Sequence, residues 1–140
     1  MPDVTPHPLV QRLLDEFNYP LLDEAGVDAF AAEHEYSVLF FTEDPARMKE
    51  SLDVAVVLPE LAATFPQLHP AVIDRSSEKV LQRRYHFVVW PALVFLKRGE
   101  FLGSIIKIQN WDEYLQQIPE ILSRTPQAVA STTPNNSETA

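Results

Sequence analysis

The chain opens with hydrophobic residues at helical spacing. Between Pro8 and Phe17 the apolar positions recur three or four residues apart, and charged residues fall on the other side. This pattern predicts an amphipathic first helix, followed by a short extended segment at Leu21-Leu22. A second, smaller helix is expected from about Val27 to His34, with Asp28 in its first turn, where a negative charge suits the helix dipole.

A continuous apolar run marks the centre of the predicted sheet. The run from Ser37 to Phe41 is apolar at consecutive positions, so both faces of this strand should be covered, as in a central strand of an α/β sheet. After a loop, the apolar positions from about Leu52 to Phe65 predict a buried helix. Pro59 lies inside that helix and is expected to kink it, because proline lacks an amide hydrogen and clashes with the preceding turn.

The second half of the chain predicts a strand, a helix and a β-hairpin. Ala71–Asp74 is a short apolar strand, and Ser76 or Ser77 can cap the helix that follows it. Two apolar runs, Ala92–Leu96 and Phe101–Ile106, are joined by a turn that contains glycine, which is typical of a hairpin.

A last helix ends the patterned part of the chain. Asn110 and Glu113 have the spacing of a capping pair, and the apolar positions after them have helical spacing, so this helix should pack on the sheet. After Arg124 the chain has no aromatic residue and no periodic apolar pattern that could offset the entropy of ordering it. We therefore expect one domain over residues 1–124 and a disordered tail over residues 125–140.

Composition narrows the classes of function. The 140 residues suit a single domain, and 46% of them are hydrophobic, as in globular proteins. The chain has no cysteine, which excludes disulfides, thiolate nucleophiles and cysteine-based metal sites. Its four histidines lack metal-ligand spacing and its three glycines are too few for a phosphate-binding loop, so we expect no metal and no cofactor. Neither a bilayer-spanning run nor a signal peptide pattern is present, so a cytoplasmic location without membrane insertion is expected.

The net charge of −9 is concentrated in the first third of the chain. Residues 1–44 contain ten acidic residues and one basic residue, whereas the remainder is neutral overall. This charge disfavours nucleic acids and anionic membrane surfaces as partners. Two interpretations stay open: a solvated surface that favours solubility, or a binding site for a basic peptide.

The order of predicted elements and one long motif resemble the thioredoxin fold. The segment Val89–Glu100, VWPALVFLKRGE, is similar to the thioredoxin segment in which a cis-proline precedes a hairpin closed by a glycine turn. Pro59 resembles the proline of the second thioredoxin helix, and Asp74 resembles the acid that ends the next strand. The resemblance implies an α/β, thioredoxin-like fold: a central mixed β-sheet flanked by helices on both faces, with a C-terminal β-hairpin and helix.

The thioredoxin resemblance does not extend to the redox motif. Counting back from Pro59, the Cys-x-x-Cys motif would fall on Ser51–Val54, reached through an extra loop, Glu43–Glu50. Both cysteines are absent. Without a thiolate there is neither an attacking nor a resolving group, so thioredoxin activity is chemically impossible for this chain.

Several short motifs are similar to one bacterial group that shares this fold. They are FFTEDP after the central strand, WPALVF, the glycine spacing of Gly99 and Gly103, and NWDEY at the last helix. The group is the HyaE, HupG and HoxO type of accessory protein in nickel–iron hydrogenase maturation. The resemblance, over about residues 8–124, implies a non-catalytic chaperone that binds the hydrogenase small subunit precursor and its twin-arginine signal peptide before export. It implies no catalytic residue and no cofactor.

Trp90-Pro91 leads the candidate peptide-binding residues. The resemblance implies a cis bond here, and in thioredoxin-like proteins this loop exposes backbone groups that pair with an extended peptide. Trp90 would add an aromatic contact. The alternative is a core tryptophan beside a structural proline.

The other candidates are acids and a second tryptophan. Acidic side chains suit an arginine-containing partner because a guanidinium pairs with a carboxylate through two hydrogen bonds. These candidates are Glu43, Asp44 and Asp53 around the end of the central strand, and Trp111, Asp112 and Glu113 at the start of the last helix. The alternatives are a solvated loop for the first three and an ordinary helix start for the last three. Asp74 is either a partly buried acid beneath the missing cysteines or a strand-end cap.

Other classes of function compete with the chaperone hypothesis. The first is a general thioredoxin-like protein-interaction module without redox activity. The second is a structural subunit of a larger assembly, which a large exposed apolar patch would favour. The third is an enzyme, which would need a group such as Ser51 beside a base, and no histidine lies near Ser51 in the sequence.

Overall fold

A computed structural model describes residues 7–44 and 47–125, in which five strands and five helices follow one another. The helices are α1 (Pro8–Asp15), α2 (Glu24–Glu33), α3 (Glu50–Thr64), α4 (Glu78–Tyr85) and α5 (Trp111–Leu122). The strands are β1 (Leu21–Leu22), β2 (Tyr36–Phe41), β3 (Leu68–Ile73), β4 (Ala92–Lys97) and β5 (Glu100–Ile106). This order is the one that the hydrophobic pattern predicts. The expected tail lies almost wholly outside the described residues.

The strands form one mixed sheet in the order β1-β3-β2-β4-β5. β1, β3 and β2 are parallel, whereas β4 and β5 run antiparallel to their neighbours. Helices α1, α3 and α5 pack on one face of the sheet, and α2 and α4 pack on the other. In the central strand β2, Phe40 faces the first of these cores and Leu39 and Phe41 face the second. The expectation that β2 is covered on both sides is confirmed, and so is the sheet architecture.

Helix α2 begins earlier than the apolar pattern predicts. The Asp23 carboxylate accepts a hydrogen bond from the Gly26 amide (2.8 Å) and so caps the helix four residues before its first buried side chain, Val27. The expectation that Asp28 lies in the first turn is therefore wrong. Asp28 lies on the exposed side of the helix and contacts Arg84 at 2.9 Å.

Helix α4 is preceded by a turn that the sequence pattern did not predict. The Asp74 carboxylate accepts a hydrogen bond from the Ser76 amide (3.0 Å) and caps a short 3₁₀ turn over Arg75–Ser77. This contact favours the strand-end cap over the buried-acid interpretation of Asp74. Ser77 stands at the N-cap position of α4, but its hydroxyl accepts a hydrogen bond from the Glu24 amide (3.1 Å) instead of capping its own helix.

The remaining predicted elements form through local contacts. Helix α3 continues on both sides of Pro59. The β4–β5 turn places Arg98 and Gly99 at positive φ (50° and 87°), the backbone twist that a two-residue hairpin requires. The Glu113 carboxylate accepts a hydrogen bond from the Asn110 amide (3.1 Å), which confirms their pairing at the start of α5. Among the residues described, no helix has the length and apolarity needed to span a bilayer.

Candidate functional site

One end of the sheet gathers every candidate residue. Phe41 at the end of β2 pairs with Ala92 at the start of β4, and Ala92 pairs with Ile106 at the end of β5. The segments beside these three residues therefore meet at the same end, together with the first turns of α3 and α5. We call this surface the loop face and define it as residues 42–44, 50–53, 88–91 and 107–113. It contains Glu43, Asp44, Asp53, Trp90, Pro91, Trp111, Asp112 and Glu113.

The Trp90-Pro91 segment is built into the fold. The peptide bond is cis, as the thioredoxin resemblance implies, and the buried Pro91 accepts a hydrogen bond at its carbonyl from the Lys107 amide (2.7 Å). The half-buried Trp90 ring packs edge-to-face on Phe87, with 5.1 Å between ring centroids. Its indole N–H donates a hydrogen bond to the Glu78 carboxylate (2.8 Å). These contacts anchor Trp90, so the aromatic surface it offers to a partner is limited to its exposed part.

Glu78 is the buried acid of the site. Its side chain is 3% exposed, and its carboxylate accepts hydrogen bonds from the Thr42 and Glu43 amides, each at 3.0 Å, as well as from the Trp90 indole. Burial raises the pKa of Glu78 to about 7, although these three hydrogen bonds and the charge of Arg75 act in the opposite direction. One carboxylate thus joins the end of β2 to the segment that precedes β4.

The segment after β2 is held on two sides. The buried Ser51 hydroxyl donates a hydrogen bond to the Thr42 carbonyl (2.6 Å), while Glu78 holds the amides of Thr42 and Glu43. Glu43 has a left-handed backbone (φ 53°), a conformation that a non-glycine residue keeps only where surrounding contacts impose it. The Glu43 carboxylate accepts a hydrogen bond from the Asp44 amide (3.0 Å), and the Asp44 carboxylate lies 3.9 Å from Arg75. Both candidate acids are therefore half-buried parts of an ordered loop.

Ser51 does not have the surroundings of a catalytic nucleophile. Its hydroxyl hydrogen is engaged by a carbonyl oxygen, which cannot serve as a general base. Among residues 7–44 and 47–125, no group of three or more histidine, aspartate or glutamate side chains is arranged to hold a metal ion. His34 and His69 stack with ring centroids 4.0 Å apart, but they lie beside the starts of β2 and β3, at the opposite end of the sheet.

The start of α5 is the more open half of the loop face. Trp111 is 39% exposed, and Asp112 and Glu113 are exposed beside it. The segment leading into α5 is joined to α3 by the Ile108 amide, which donates a hydrogen bond to the Glu50 carboxylate (3.0 Å). Asp53 is exposed on the first turn of α3.

Within residues 7–44, the acids of the first third do not form one continuous patch. They lie on α1, on α2 and in the adjoining loops, and α1 and α2 cover opposite faces of the sheet. Several of them contact side chains in the same region or on α4: Glu16 contacts Arg12 at 2.8 Å, while Glu24 and Asp28 contact Arg84 at 3.4 and 2.9 Å. Of the described acids in this third, Glu43 and Asp44 lie on the loop face.

Sequence reasoning missed one residue of the loop face, Val88, and one buried residue that bonds to this surface, Glu78. Glu78 stands among the polar residues of α4, and nothing in its neighbours indicates that it is buried. Val88 is 78% exposed, two residues before Trp90, and adds an apolar side chain to the loop face. The run Phe87-Val88-Val89 has the composition of a buried strand, so its hydrophobicity alone gave no signal of exposure.

Known proteins are similar to this chain in both sequence and fold. The family described as Hydrogenase-1 expression protein HyaE matches residues 9–114. The chain is 52% identical over 117 residues to the hydrogenase expression/formation protein HoxO of Azotobacter vinelandii, a match that covers 84% of this chain and 79% of that protein. It is 43% identical over 123 residues to the hydrogenase expression/formation protein HupG of Rhizobium leguminosarum bv. viciae, with 84% and 83% covered.

Solved structures extend this comparison. The crystal structure described as hydrogenase expression/formation protein HupG from Rhodopseudomonas palustris CGA009 is 42% identical, with a TM-score of 0.54 and coverage of 74% of this chain and 95% of that one. A thioredoxin mutant from Halobacterium salinarum NRC-1 is 18% identical, with a TM-score of 0.63 and coverage of 77% and 93%. This second likeness concerns the fold alone, and it confirms the thioredoxin-like architecture expected from the sequence. By sequence and by structure, the chain belongs to the HyaE family.

Proposed function

We propose that this protein is a non-catalytic chaperone of nickel–iron hydrogenase maturation. It acts in the cytoplasm, where it binds the hydrogenase small subunit precursor, including its twin-arginine signal peptide, before export. The binding surface is the loop face. The observation that carries the proposal is the convergence of acidic and apolar side chains at one end of a thioredoxin-like sheet in a chain of the HyaE family that has no cysteine.

The chemistry of a twin-arginine leader supports this surface. A signal peptide has a basic n-region followed by an apolar stretch, so a receptor for it needs carboxylates beside exposed hydrophobic groups. On the loop face, Asp53 and Asp112 are exposed carboxylates, and Trp111 and Val88 are exposed apolar side chains. Paired arginines would form bidentate contacts with the acids, and the net charge of −9 would raise the rate of encounter with a basic peptide.

Calorimetric titration with a twin-arginine leader peptide of a hydrogenase small subunit tests the proposal. We expect saturable binding that weakens at high salt, because exposed charge pairs are screened. Binding should also weaken when both arginines of the peptide are replaced by glutamine, since glutamine keeps the length and polarity but not the charge.

Matched variants of the protein locate the surface. Asp53→Asn combined with Asp112→Asn should weaken binding, whereas Glu60→Gln combined with Glu100→Gln should not. The control removes the same charge from exposed positions that lie outside the loop face. Equal effects of the two pairs would refute the loop face as the binding surface. Indifference of the wild-type protein to both peptides would instead favour a general interaction module or recognition of the mature subunit.

A further inference from the structure

Glu78 is the one buried carboxylate among the described residues, and its contacts lie entirely within the candidate surface. The Glu78 carboxylate accepts hydrogen bonds from the Thr42 amide and the Trp90 indole, which lie 36 and 12 residues away in the sequence. The Glu43 amide donates to both carboxylate oxygens, at 3.0 and 3.2 Å. Among the described residues, no side chain of opposite charge makes a direct ion pair with Glu78, and Arg75 acts only through its longer-range charge.

Fixing a loop with a buried carboxylate that has no direct cationic partner carries a large desolvation free energy. An amide-containing side chain or a backbone turn could supply the acceptors without the desolvation cost of a buried charge. A carboxylate differs from these alternatives in one respect, because its strength as an acceptor changes when it takes up a proton. Hydrogen bonds to an ionised acceptor are shorter and about twice as strong as those between neutral groups.

We propose that Glu78 is a positioning residue that couples residues 42–43 to Trp90 on the loop face and tightens or loosens this link according to its protonation. With Glu78 ionised, residues 42–43 and Trp90 are held as a unit. With Glu78 protonated, the carboxyl group keeps its place in the core but holds the three donors less firmly. The consequence of this coupling for peptide binding rests on the proposed function, but the coupling itself does not.

The burial of Glu78, and not the charges around it, favours a titration within the physiological range. Burial raises the pKa of Glu78 to about 7, so a small change in pH changes the ionised fraction substantially. The ionisable groups on the neighbouring segments are Arg75 at the start of the 3₁₀ turn and Glu43 and Asp44 after β2. Glu43 directs its carboxylate to the Asp44 amide and Asp44 contacts Arg75, so neither replaces Glu78 as the acceptor for the Trp90 indole.

The chain offers a direct spectroscopic test because it contains only two tryptophans. In ¹H–¹⁵N NMR spectra of the full-length protein, the Trp90 indole proton should move downfield as pH rises, with a midpoint near pH 7. The Thr42 and Glu43 amide resonances and the Glu78 carboxyl carbon should titrate with the same midpoint. The Trp111 indole, at the open start of α5, serves as the internal control and should not follow this titration.

Two glutamine variants complete the test. In Glu78→Gln, the titration of the Trp90 indole should disappear. In Glu113→Gln, which removes a carboxylate from the loop face, the titration of the Trp90 indole should persist. A Trp90 titration that persists in Glu78→Gln overturns the proposal. If that variant does not fold, the wild-type spectra still decide, since unequal midpoints at Glu78, Thr42, Glu43 and Trp90 contradict a single coupled unit.

Peptide titrations separate this inference from the proposed function. If the leader peptide binds, we expect its affinity to fall severalfold when pH is lowered through the Glu78 midpoint, because a looser surface loses more conformational entropy on binding. The affinity of Glu78→Gln should lack this step. Coupled NMR titration without any leader binding would support the role of Glu78 and contradict the proposed partner. Leader binding without coupled titration would support the proposed partner and contradict the role of Glu78.

Discussion

The two tryptophans of the loop face, Trp90 and Trp111, lie in regions that are stabilised in different ways. Around Trp90 the chain is fixed by tertiary contacts: the ring packs on Phe87, and its indole N–H bonds to the buried Glu78. Around Trp111 the chain is fixed locally, by the pairing of Asn110 with Glu113 at the start of α5. The first region is half-buried and the second is exposed.

On the proposed binding surface, this difference would divide two tasks between the two regions. The rigid half fixes the shape of the surface through contacts that no short segment could make alone. The open half displays an aromatic ring and carboxylates on a helix that needs only its own cap to form. We therefore expect changes in the first region to alter folding and changes in the second to alter mainly binding.

The sharpest test of this comparison is truncation of the two tryptophans. Trp90→Ala should lower the free energy of unfolding by about 3–4 kcal/mol, because it removes packing on Phe87 and the hydrogen bond to Glu78. Trp111→Ala should lower it by less than about 1 kcal/mol, since 39% of that residue is already exposed. Urea unfolding at a fixed pH measures both values. Equal losses would show that the two regions are not held differently.

The second test is the pH dependence of stability. Glu78 has a pKa of about 7 in the folded protein against 4.5 for an ordinary glutamate, so the folded state binds more protons than the unfolded state between these values. The Glu78 contribution is therefore greatest below about pH 4.5 and is lost as pH rises to 7. At 1.36 kcal/mol per pKa unit, the loss is as much as about 3 kcal/mol.

The measurement compares wild type with Glu78→Gln in urea unfolding at several pH values. Because other ionisable groups are common to both proteins, their effects cancel in the difference. The free energy of unfolding of wild type should fall relative to that of the variant from pH 4.5 to 7 and stay constant above it. Parallel curves across this window would contradict the buried, proton-binding role of Glu78.

The third test concerns the local cap of α5. Glu113→Ala should lower the free energy of unfolding by about 1 kcal/mol, because the Asn110 amide loses its acceptor. The loss should be the same in the Trp90→Ala background, since contacts that are built independently are additive. Chemical unfolding of the single and double variants measures the coupling. A coupling well above about 0.5 kcal/mol would show that the two regions depend on each other.

The smallest effect on stability is expected from the exposed acids. Asp53→Asn and Asp112→Asn should each change the free energy of unfolding by less than about 0.5 kcal/mol, because both side chains face solvent. Their effect on leader affinity should be larger than their effect on folding. If both variants lose stability and affinity in proportion, the acids support the fold and the affinity loss does not report a contact with the leader.

The fold was predictable from the sequence because its helices, strands and turns depend on residues that are close together in the chain. The consecutive apolar residues of β2, the glycine turn between β4 and β5, and the Asn110 and Glu113 pair each depend on near neighbours in the chain. The two errors have different origins. Helix α2 begins before its apolar pattern because Asp23 caps it, which is a local effect, whereas the Ser77 hydroxyl bonds to Glu24 on another element.

The candidate site was predictable only in part. The residues around Trp90-Pro91 and the loop after β2 could be selected because open α/β sheets place their sites at strand ends and because the motifs resemble a known family. Glu78 could not be selected, since its importance depends on donors that lie 12 and 36 residues away in the chain. The acidic first third left open a solvated surface or a binding site for a basic peptide, and the fold distributes its described acids over elements on both faces of the sheet.

The sequence by itself determined the order of helices and strands, the family, and the loss of thiol chemistry. Each of these follows from residue types, from their periodicity, or from the absence of cysteine. Only the tertiary structure decided which acid is buried, which tryptophan is anchored, and which charges share a surface. The reason is physical: burial and hydrogen bonding at this site depend on side chains that only the packed sheet brings together.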